Sequence, residues 1–191
     1  PVANFLFAPS RAVFARAALE HGGVDASTVT LSSMVATSTR FAALKSRAVE
    51  AAVLTPPFDA LAIKEGYRVL ARASDVLDVP WTGLATSTKR LTEQPGEIKA
   101  MIRALLKALH YIRQNRAGSV SLIRKEFSLD ESLAFHVYDE MVSALSADGS
   151  ASVGAIENDV ALARRSLKLA KPVEVAQVVD FSLLNEARRT F

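Results

Sequence analysis

Hydroxyl and basic side chains, with one aromatic ring, stand at three points where a predicted strand leads into a predicted helix. These residues are Ser10 and Arg11 at the first turn, Thr37, Ser38, Thr39 and Arg40 at the second, and Thr55 and Phe58 at the third. A helix N-terminus presents free amide donors and the positive end of the helix dipole, so it can hold an anion or a polar ligand group. The same hydroxyls can equally cap their own helices. Because the three turns converge on one expected edge of a sheet, the pattern favours a ligand-binding site.

No catalytic or metal-binding group of residues accompanies these turns in the sequence. His21, His110 and His136 fall in three different predicted helices, and none has the spacing of a metal-ligand pair. The absence of cysteine excludes disulfides, thiol catalysis and thiolate metal sites. The glycines never cluster after a strand, as phosphate loops and dinucleotide-binding turns require. We therefore expect no catalytic residue, no cofactor and no bound metal.

Composition limits the classes of protein to which the chain can belong. Half of its 191 residues are hydrophobic, yet the longest apolar runs fall well short of the roughly 20 residues that a membrane helix needs. The net charge of +3 is spread along the chain and forms no dense basic patch with interleaved aromatic residues, so we expect no nucleic-acid partner. The surplus of apolar residues predicts either a face that packs on something outside the chain or simply an alanine-rich, helical sequence.

The segment that carries the second and third turns indicates how these side chains are positioned. Its sequence, TRFAALKSRAVEAAVLTPPF, predicts a short helix, a tight turn and a strand whose nearly continuous apolar run is typical of burial on both faces. Pro56 and Pro57 end that strand because proline lacks the amide donor of the ladder. Predicted strands, separated by helices, occupy residues 2–7, 28–34, 48–54 and 67–71. This order predicts a largely parallel sheet, and such sheets bind ligands beyond the carboxyl ends of their strands.

The character of the sequence changes after residue 80. Residues 81–87 predict one last strand, and the remainder predicts helices. Pro95 lies in the first turn of a long helix with one apolar face, and Ser128 to Glu131 have the form of a capping box that starts another helix. The apolar face consists of Ile98, Met101, Ile102, Leu105, Leu106, Leu109 and Ile112. The sequence thus predicts an α/β lobe followed by a helical C-terminal segment.

Four segments of the chain resemble the nitrate/sulfonate/thiamine-precursor group of substrate-binding proteins from ABC importers. They are ARAALEHGGVD, STRFAALKSRAVEAAVLTPPFDALAIKEGYRVLA, GLATSTKRLTEQPGEIKAMIRALLKALHYIRQN and, near the end, VVDFSLLNEA. The resemblance covers essentially the whole chain and is most specific over residues 40–70. The order and spacing of the segments carry it more than any single motif.

The resemblance implies a type II periplasmic binding fold, in which two α/β lobes close on a ligand like a hinged trap. Residues 1–78 would form the α/β ligand-binding part of the second lobe, and residues 79–191 would supply the return strand and the C-terminal helices of the first lobe. The beginning of the first lobe would be missing. Residues 1–7 agree with this expectation, because they lack the basic region and cleavage site of a signal peptide and read as a start just before or within a strand.

The resemblance also implies a function without chemistry, so that the protein would not be an enzyme. It would capture a small polar, heterocyclic or anionic ligand in the cleft between the lobes and deliver it to the membrane permease of an ABC importer. It would act in the periplasm or elsewhere outside the cytoplasm, with or without a lipid anchor. A lobe deprived of its partner strands can form a homodimer that covers its exposed face.

Several of the candidate residues match positions of the family's pattern. Ser10 occupies a loop that carries small residues in the family, and Arg40 a commonly basic place in the second helix. Thr55, followed by Pro56 and Pro57, stands where a strand meets the ligand cleft. The resemblance therefore supports the same edge of the sheet as the ligand site.

Two departures from the family's pattern bear on the ligand. Ala8 and Pro9 replace a glycine- and serine-rich loop, which leaves fewer free amides for an anion. Arg47 stands where the family usually has glycine, at a cost of about 1 kcal/mol if that turn needs a positive φ. Both departures argue against the usual oxyanion ligands. Phe58 and Trp81 favour an aromatic or heterocyclic ligand instead.

Two other classes of protein share parts of this pattern. The effector domain of a LysR-type transcription regulator has the same two-lobe fold, but the long helical C-terminal third is excessive for that family. Fungal pyrimidine synthases of thiamine synthesis share the sequence pattern, but they depend on a cysteine-rich motif and this chain has no cysteine. The importer component is therefore the first expectation, the regulator the second and the enzyme the third.

Overall fold

The computed structural model describes residues 4–7 and 12–190. The chain divides into two compact units, residues 1–78 and 79–191. Strands and helices alternate along the first unit, as the sequence predicted for its α/β part. Its elements are β1 (Asn4–Phe7), α1 (Ala12–His21), a 3₁₀ turn (Ala26–Thr28), β2 (Thr30–Ser33), α2 (Thr37–Lys45), β3 (Ala51–Ala52), α3 (Phe58–Lys64) and α4 (Ala73–Val76).

The three strands form a parallel sheet in the order β2–β1–β3. Phe5 of the central strand pairs with Leu31 on one side and with Ala51 on the other. Because all three strands run in the same direction, their carboxyl ends lie at one edge of the sheet. The β2–α2 turn (residues 34–36) and the β3–α3 turn (residues 53–57) both leave the sheet at that edge.

The two faces of the sheet pack against different helices. Val53 belongs to a cluster with Ala15 of α1. The neighbouring Ala52 and Leu54 belong instead to a cluster around Leu44 of α2. Successive residues of an extended chain point to opposite faces, which explains this alternation. The apolar run before Thr55 is therefore covered on both sides, as the sequence predicted.

Two predicted strands do not form within the described residues. Residues 67–71 are irregular, and Val69 and Leu70 there are 50% and 74% exposed. Residues 81–87, the predicted return strand, are also irregular and exposed. The strand predicted at 48–54 is reduced to the two residues that pair with β1. A strand needs a neighbour for its backbone donors and acceptors, and the local apolar pattern cannot supply one.

The turn between α2 and β3 has the positive φ considered in the sequence analysis. Arg47 has a φ of 58°, in the left-handed region that favours glycine. The amide of Ala48 donates to the carbonyl of Ala43 at 3.0 Å and so closes the end of α2. The left-handed conformation of an L-residue costs about 1 kcal/mol here.

The second unit consists of helices and irregular segments over its described residues. Its helices are α5 (Thr88–Glu93), α6 (Pro95–Gln114), α7 (Arg116–Phe127), α8 (Glu131–Ala144), α9 (Val153–Leu167), α10 (Val175–Val178) and α11 (Ser182–Arg189). Among the helices of the described residues, none combines the length and the apolar character that crossing a membrane requires.

The apolar face predicted for the long helix is only partly buried. Leu106 packs in a core cluster with Leu184 and Ala187 of α11. Met101 and Leu105, on the same predicted face, remain 51% and 44% exposed. The predicted stripe is thus wider than the surface that α11 covers.

The predicted capping box at Ser128 is wrong by two residues. Ser128 adopts a left-handed conformation, with a φ of 53°, and ends α7. Asp130 caps α8 instead, because its Oδ1 accepts a hydrogen bond from the amide of Leu133 at 2.9 Å. A serine that terminates one helix in this conformation cannot also cap the next one.

Candidate functional site

The β2–α2 and β3–α3 turns meet through two threonine side chains. Thr37 Oγ1 lies 3.2 Å from Thr55 Oγ1, although the two residues are 18 positions apart in the sequence. Both side chains are half-buried at the carboxyl edge of the sheet. Two of the three turns named in the sequence analysis are therefore brought together at one place.

Arg40 connects the β2–α2 and β3–α3 turns through hydrogen bonds. Its side chain is fully buried, with 0% exposure. Its Nε donates to the carbonyl of Val53 at 2.8 Å, at the end of the sheet. Its Nη1 donates to the carbonyls of Met34 and Val35 at 2.6 and 2.8 Å. One guanidinium therefore holds backbone acceptors of both turns.

The same guanidinium also fixes a hydroxyl of the site. Arg40 Nη2 donates to Thr37 Oγ1 at 2.7 Å. A guanidinium has donors only, so Thr37 must act as the acceptor in this bond. The proton of the Thr37 hydroxyl then remains available for Thr55 or for a ligand.

Among the described residues, no side-chain cap is recorded at the N-terminus of α2. Ala36 precedes the helix and has no side chain that can cap it. Ser38 and Thr39, the next two residues of α2 after Thr37, are exposed. This arrangement presents backbone amides and two hydroxyls on the side of the helix dipole that favours anions.

Phe58 has a packing role at the start of α3. Its ring lies 5.9 Å from the ring of Phe41, centroid to centroid, at an interplanar angle of 52°. Phe41 is buried, whereas Phe58 is half-buried. The Lys45 ammonium lies 5.3 Å from the Phe41 ring and forms an ion pair with Glu65 at 2.7 Å. The Phe58 ring thus joins α3 to α2 and keeps a partly accessible face.

The remaining candidate residues are not brought into this group. Ser10 and Arg11 lie outside the described residues. Trp81 belongs to the second unit, where it is 51% exposed. Their part in a ligand site stays a prediction, as does the direct ligand contact predicted for the residues of the second and third turns.

An open depression of about 490 Å³ lies elsewhere on the first unit. It is lined by Arg47, Glu50, Glu65 and Tyr67, near the amino end of β3. The threonine pair lies at the opposite, carboxyl end of that strand. Within residues 4–7 and 12–190, no cluster of acidic and histidine side chains is arranged to hold a metal ion.

The burial of Arg40 was not predicted from the sequence, where this arginine was expected to be one of several polar residues around a ligand. A signal was present in the spacing, because Arg40 precedes Leu44 by four residues and the two therefore share a face of α2. Leu44 packs in the core, so its neighbour on that face points inward as well.

Comparison with known families gives a match over more than half of the chain. The sequence profile described as the NMT1-like family matches residues 8–123. This range includes both threonines and Arg40. No curated protein matches the chain.

Two solved structures share the fold at low sequence identity. The alkanesulfonate-binding protein SsuA from Xanthomonas axonopodis pv. citri, bound to MOPS, has a TM-score of 0.68 at 16% identity, covering 97% of this chain and 62% of that protein. A DszB mutant in complex with biphenyl-2-sulfinic acid has a TM-score of 0.63 at 13% identity, covering 100% of this chain and 71% of the other. The chain thus spans less than two thirds of the length of the sulfonate-binding protein.

These comparisons agree with the resemblance inferred from the sequence. The chain shares its mixed α/β fold with the alkanesulfonate-binding protein. The family profile covers three of the four segments that carried the resemblance and ends before VVDFSLLNEA at residues 178–187. The chain belongs to the NMT1-like family.

Proposed function

We propose that the chain is part of the solute-binding component of an ABC-type importer. It captures a small organic ligand at the carboxyl edge of the sheet and takes no chemical step. Family membership and the fold shared with an alkanesulfonate-binding protein support this function. The observation that carries it is the contact between Thr37 and Thr55, which joins two turns where open α/β sheets receive their ligands.

The class of ligand follows from the groups that the site presents. The N-terminus of α2, together with the threonine pair through the hydroxyl of Thr55, suits an anionic or strongly accepting oxygen. The half-buried ring of Phe58 suits an apolar or aromatic portion next to it. The ligands in the two similar structures, MOPS and biphenyl-2-sulfinic acid, each combine a sulfur oxyacid with a ring. We therefore propose an organic oxyanion that carries a ring. The ring agrees with the expectation drawn from Phe58, whereas the oxyanion departs from the expectation drawn from Ala8, Pro9 and Arg47 in the sequence.

The rest of the binding protein follows from the same proposal. The first unit corresponds to the second lobe of a type II fold, and the second unit to the C-terminal helices of the first lobe. Ser10, Arg11, Ser38, Thr39 and Trp81 complete the ligand site. The protein acts outside the cytoplasm, with or without a lipid anchor, and delivers its ligand to a permease. A homodimer of the chain remains a prediction.

The alternative of a LysR-type effector domain is not favoured. The match to the NMT1-like family extends past the first unit into the helical one, as far as residue 123. The likeness to the DszB structure, at 13% identity, supports the fold alone and does not favour an enzymatic function.

Calorimetric titration of the purified protein tests the proposed function. The probes are MOPS, biphenyl-2-sulfinate, nitrate and a pyrimidine. We expect saturable binding of at least one ring-bearing oxyanion, weakened about tenfold or more by Thr55→Val because a hydrogen bond to a charged group is lost.

Thr92→Val is the matched control, since Thr92 is exposed on α5 and bonds only within its own helix in the described hydrogen bonds. It should leave the affinity unchanged. Equal affinities of the two variants, or preferential binding of the pyrimidine, would contradict the site or the ligand class respectively.

A further inference from the structure

Arg40 is the residue of the candidate site whose contacts differ most from those of a ligand-binding arginine. An arginine that binds an anion presents its guanidinium to the cleft, as a fork of donors. The Arg40 side chain is fully buried and directs its donors to carbonyls of two turns and to one hydroxyl. Its geometry is that of a group that holds the site together.

Two hydrogen bonds connect Arg40 to Thr55 through Thr37, and the donor of each bond follows from the chemistry of the guanidinium. Because a guanidinium only donates, Thr37 Oγ1 accepts from Arg40 Nη2. The Thr37 hydroxyl can then donate to Thr55 Oγ1, 3.2 Å away. A Thr55 oxygen that accepts this bond turns its own proton outward. The Thr55 hydroxyl thereby becomes a donor for a ligand oxygen.

We propose that Arg40 is a positioning residue, which acts on the ligand through Thr37 and Thr55 without touching it. It fixes the Thr37 hydroxyl as the acceptor of its own bond and as the donor to Thr55, so that Thr55 offers a proton to the ligand. The site then selects ligands with an accepting oxygen over ligands with a donor at this position. This inference rests on the proposed function, because it specifies how that site discriminates.

The backbone contacts add a second effect of the same side chain. Nε holds the carbonyl of Val53, and Nη1 holds those of Met34 and Val35. These acceptors belong to the two turns that carry Thr55 and Thr37. A lysine at position 40 keeps the charge but, with a single nitrogen, cannot reach the same set of acceptors in a fixed geometry. Arg40→Lys should therefore loosen the relation between the two threonines.

A double-mutant cycle distinguishes action through the threonines from a general loss of structure. MOPS affinity is measured for wild type, Arg40→Lys, Thr55→Val and the double variant. We expect each single substitution to weaken binding about tenfold, and the double variant to be no weaker than Thr55→Val alone. Losses that multiply in the double variant would overturn the proposal, as would unchanged affinity of Arg40→Lys. Arg47→Lys, an exchange at an exposed arginine just beyond α2, is the matched control and should bind like wild type.

A ligand-free measurement separates this proposal from the proposed function. Threonine-methyl NMR should show that Arg40→Lys, but not Arg47→Lys, shifts the Thr37 and Thr55 methyl resonances and broadens the distribution of their χ1 rotamers. If wild type binds none of the probes while these changes occur, the proposed function fails and the positioning role stands. If both resonances are unaffected, the positioning role fails whatever binds.

If Arg40→Lys does not fold, Thr37→Val replaces it in the cycle. This variant interrupts the connection between Arg40 and Thr55 and leaves the three carbonyl bonds of Arg40 in place. Its loss of MOPS affinity should also disappear in the Thr55→Val background. An independent loss of affinity would overturn the proposal.

Discussion

The two units of the chain each use an arginine to join neighbouring elements, but in opposite surroundings. In the first unit, Arg40 is fully buried and donates to carbonyls of Met34 and Val53. In the second unit, Arg116 begins α7 and bonds to both carboxylate oxygens of Asp139 on α8, at 3.0 and 2.9 Å. The Arg116 side chain is 52% exposed. It also lies over the ring of Phe135, 4.4 Å from its centroid.

The comparison shows that the same side chain has a different energetic weight in each place. Water can replace the partners of Arg116, so its ion pair and its stacking contribute little. The hydrogen bond from Arg40 to the Val53 carbonyl is buried, so removal of the donor would leave that carbonyl without a partner and without water. The first unit therefore gains more stability from its buried arginine than the second unit gains from its exposed one.

Replacement of each arginine by methionine should give the largest difference in lost stability between the two units. We expect Arg40→Met to destabilise the first unit by about 3 kcal/mol or more, because the buried carbonyl of Val53 and the partly buried carbonyls of Met34 and Val35 lose their donor. Arg116→Met should cost the second unit about 1 kcal/mol, after allowance for solvent screening of an exposed pair. Hydrogen exchange followed by mass spectrometry, resolved to the amides of α2 and of α7, measures each unit separately. Similar loss of protection in both variants would contradict the difference in burial.

Two glycines with positive φ, one in each unit, should give the next largest difference in stability when each is replaced by alanine. Gly66 has a φ of 89° and open space where a Cβ would stand. Gly149 has a φ of 83°, and its Cβ would stand 3.3 Å from Leu106 Cδ2 in the core between α6 and α11. We expect Gly66→Ala to cost about 1 kcal/mol through the backbone alone and Gly149→Ala about 2 kcal/mol, because a core leucine must also move.

Hydrogen exchange at the ends of α3 and α11 would measure these two costs. If Gly66→Ala destabilised the protein more than Gly149→Ala, the side chain of Leu106 would have moved at a lower cost than its burial indicates.

The smallest effect concerns pH. Hydrogen bonds from Ser150 to the Asp148 carboxylate, with the nearby Arg188 charge, lower the pKa of Asp148 from 3.8 to about 2. Since the folded-state pKa lies below the unfolded one, the stabilisation is present above pH 3.8 and is lost as the pH falls through about 2. Its size should stay below about 1 kcal/mol because the side chain is largely exposed.

Urea unfolding followed by the fluorescence of Trp81, the single tryptophan, reports this effect in the second unit. Asp148→Asn should flatten the decrease in stability between about pH 5 and about pH 2. Asp25→Asn is the control, because the pKa of Asp25 is lowered by its bond from the Ser27 amide but its carboxylate lies in the first unit. The expectation fails if both variants change the Trp81 transition equally.

Much of the first unit could be predicted from local patterns. The continuous apolar run before Thr55 predicted a strand covered on both faces, and α1 and α2 do cover its two sides. The alternation of strands and helices predicted parallel pairing, which the register of β1 with β2 and β3 shows. These predictions succeed because a strand that is buried on two faces consists of apolar residues at nearly every position.

The failures concern features that depend on a partner. Residues 67–71 and 81–87 have strand-like composition but no described strand beside them, so their backbone does not enter a ladder. Met101 and Leu105 have the spacing of a buried face, yet α11 covers only part of α6. The composition of a segment indicates which secondary structure it prefers. Whether a strand or helix packs beside it depends on other parts of the chain.

The sequence alone determined which elements can form, which turns carry polar groups and to which family the segments are similar. The tertiary structure decided that Thr37 and Thr55 meet and that Arg40 lies behind them, fully buried. The physical reason is that a strand or a turn is coded by neighbouring residues, whereas a hydrogen bond across 18 positions depends on the register of a whole sheet. A basic residue in a sequence looks the same whether water or two backbone turns will surround it.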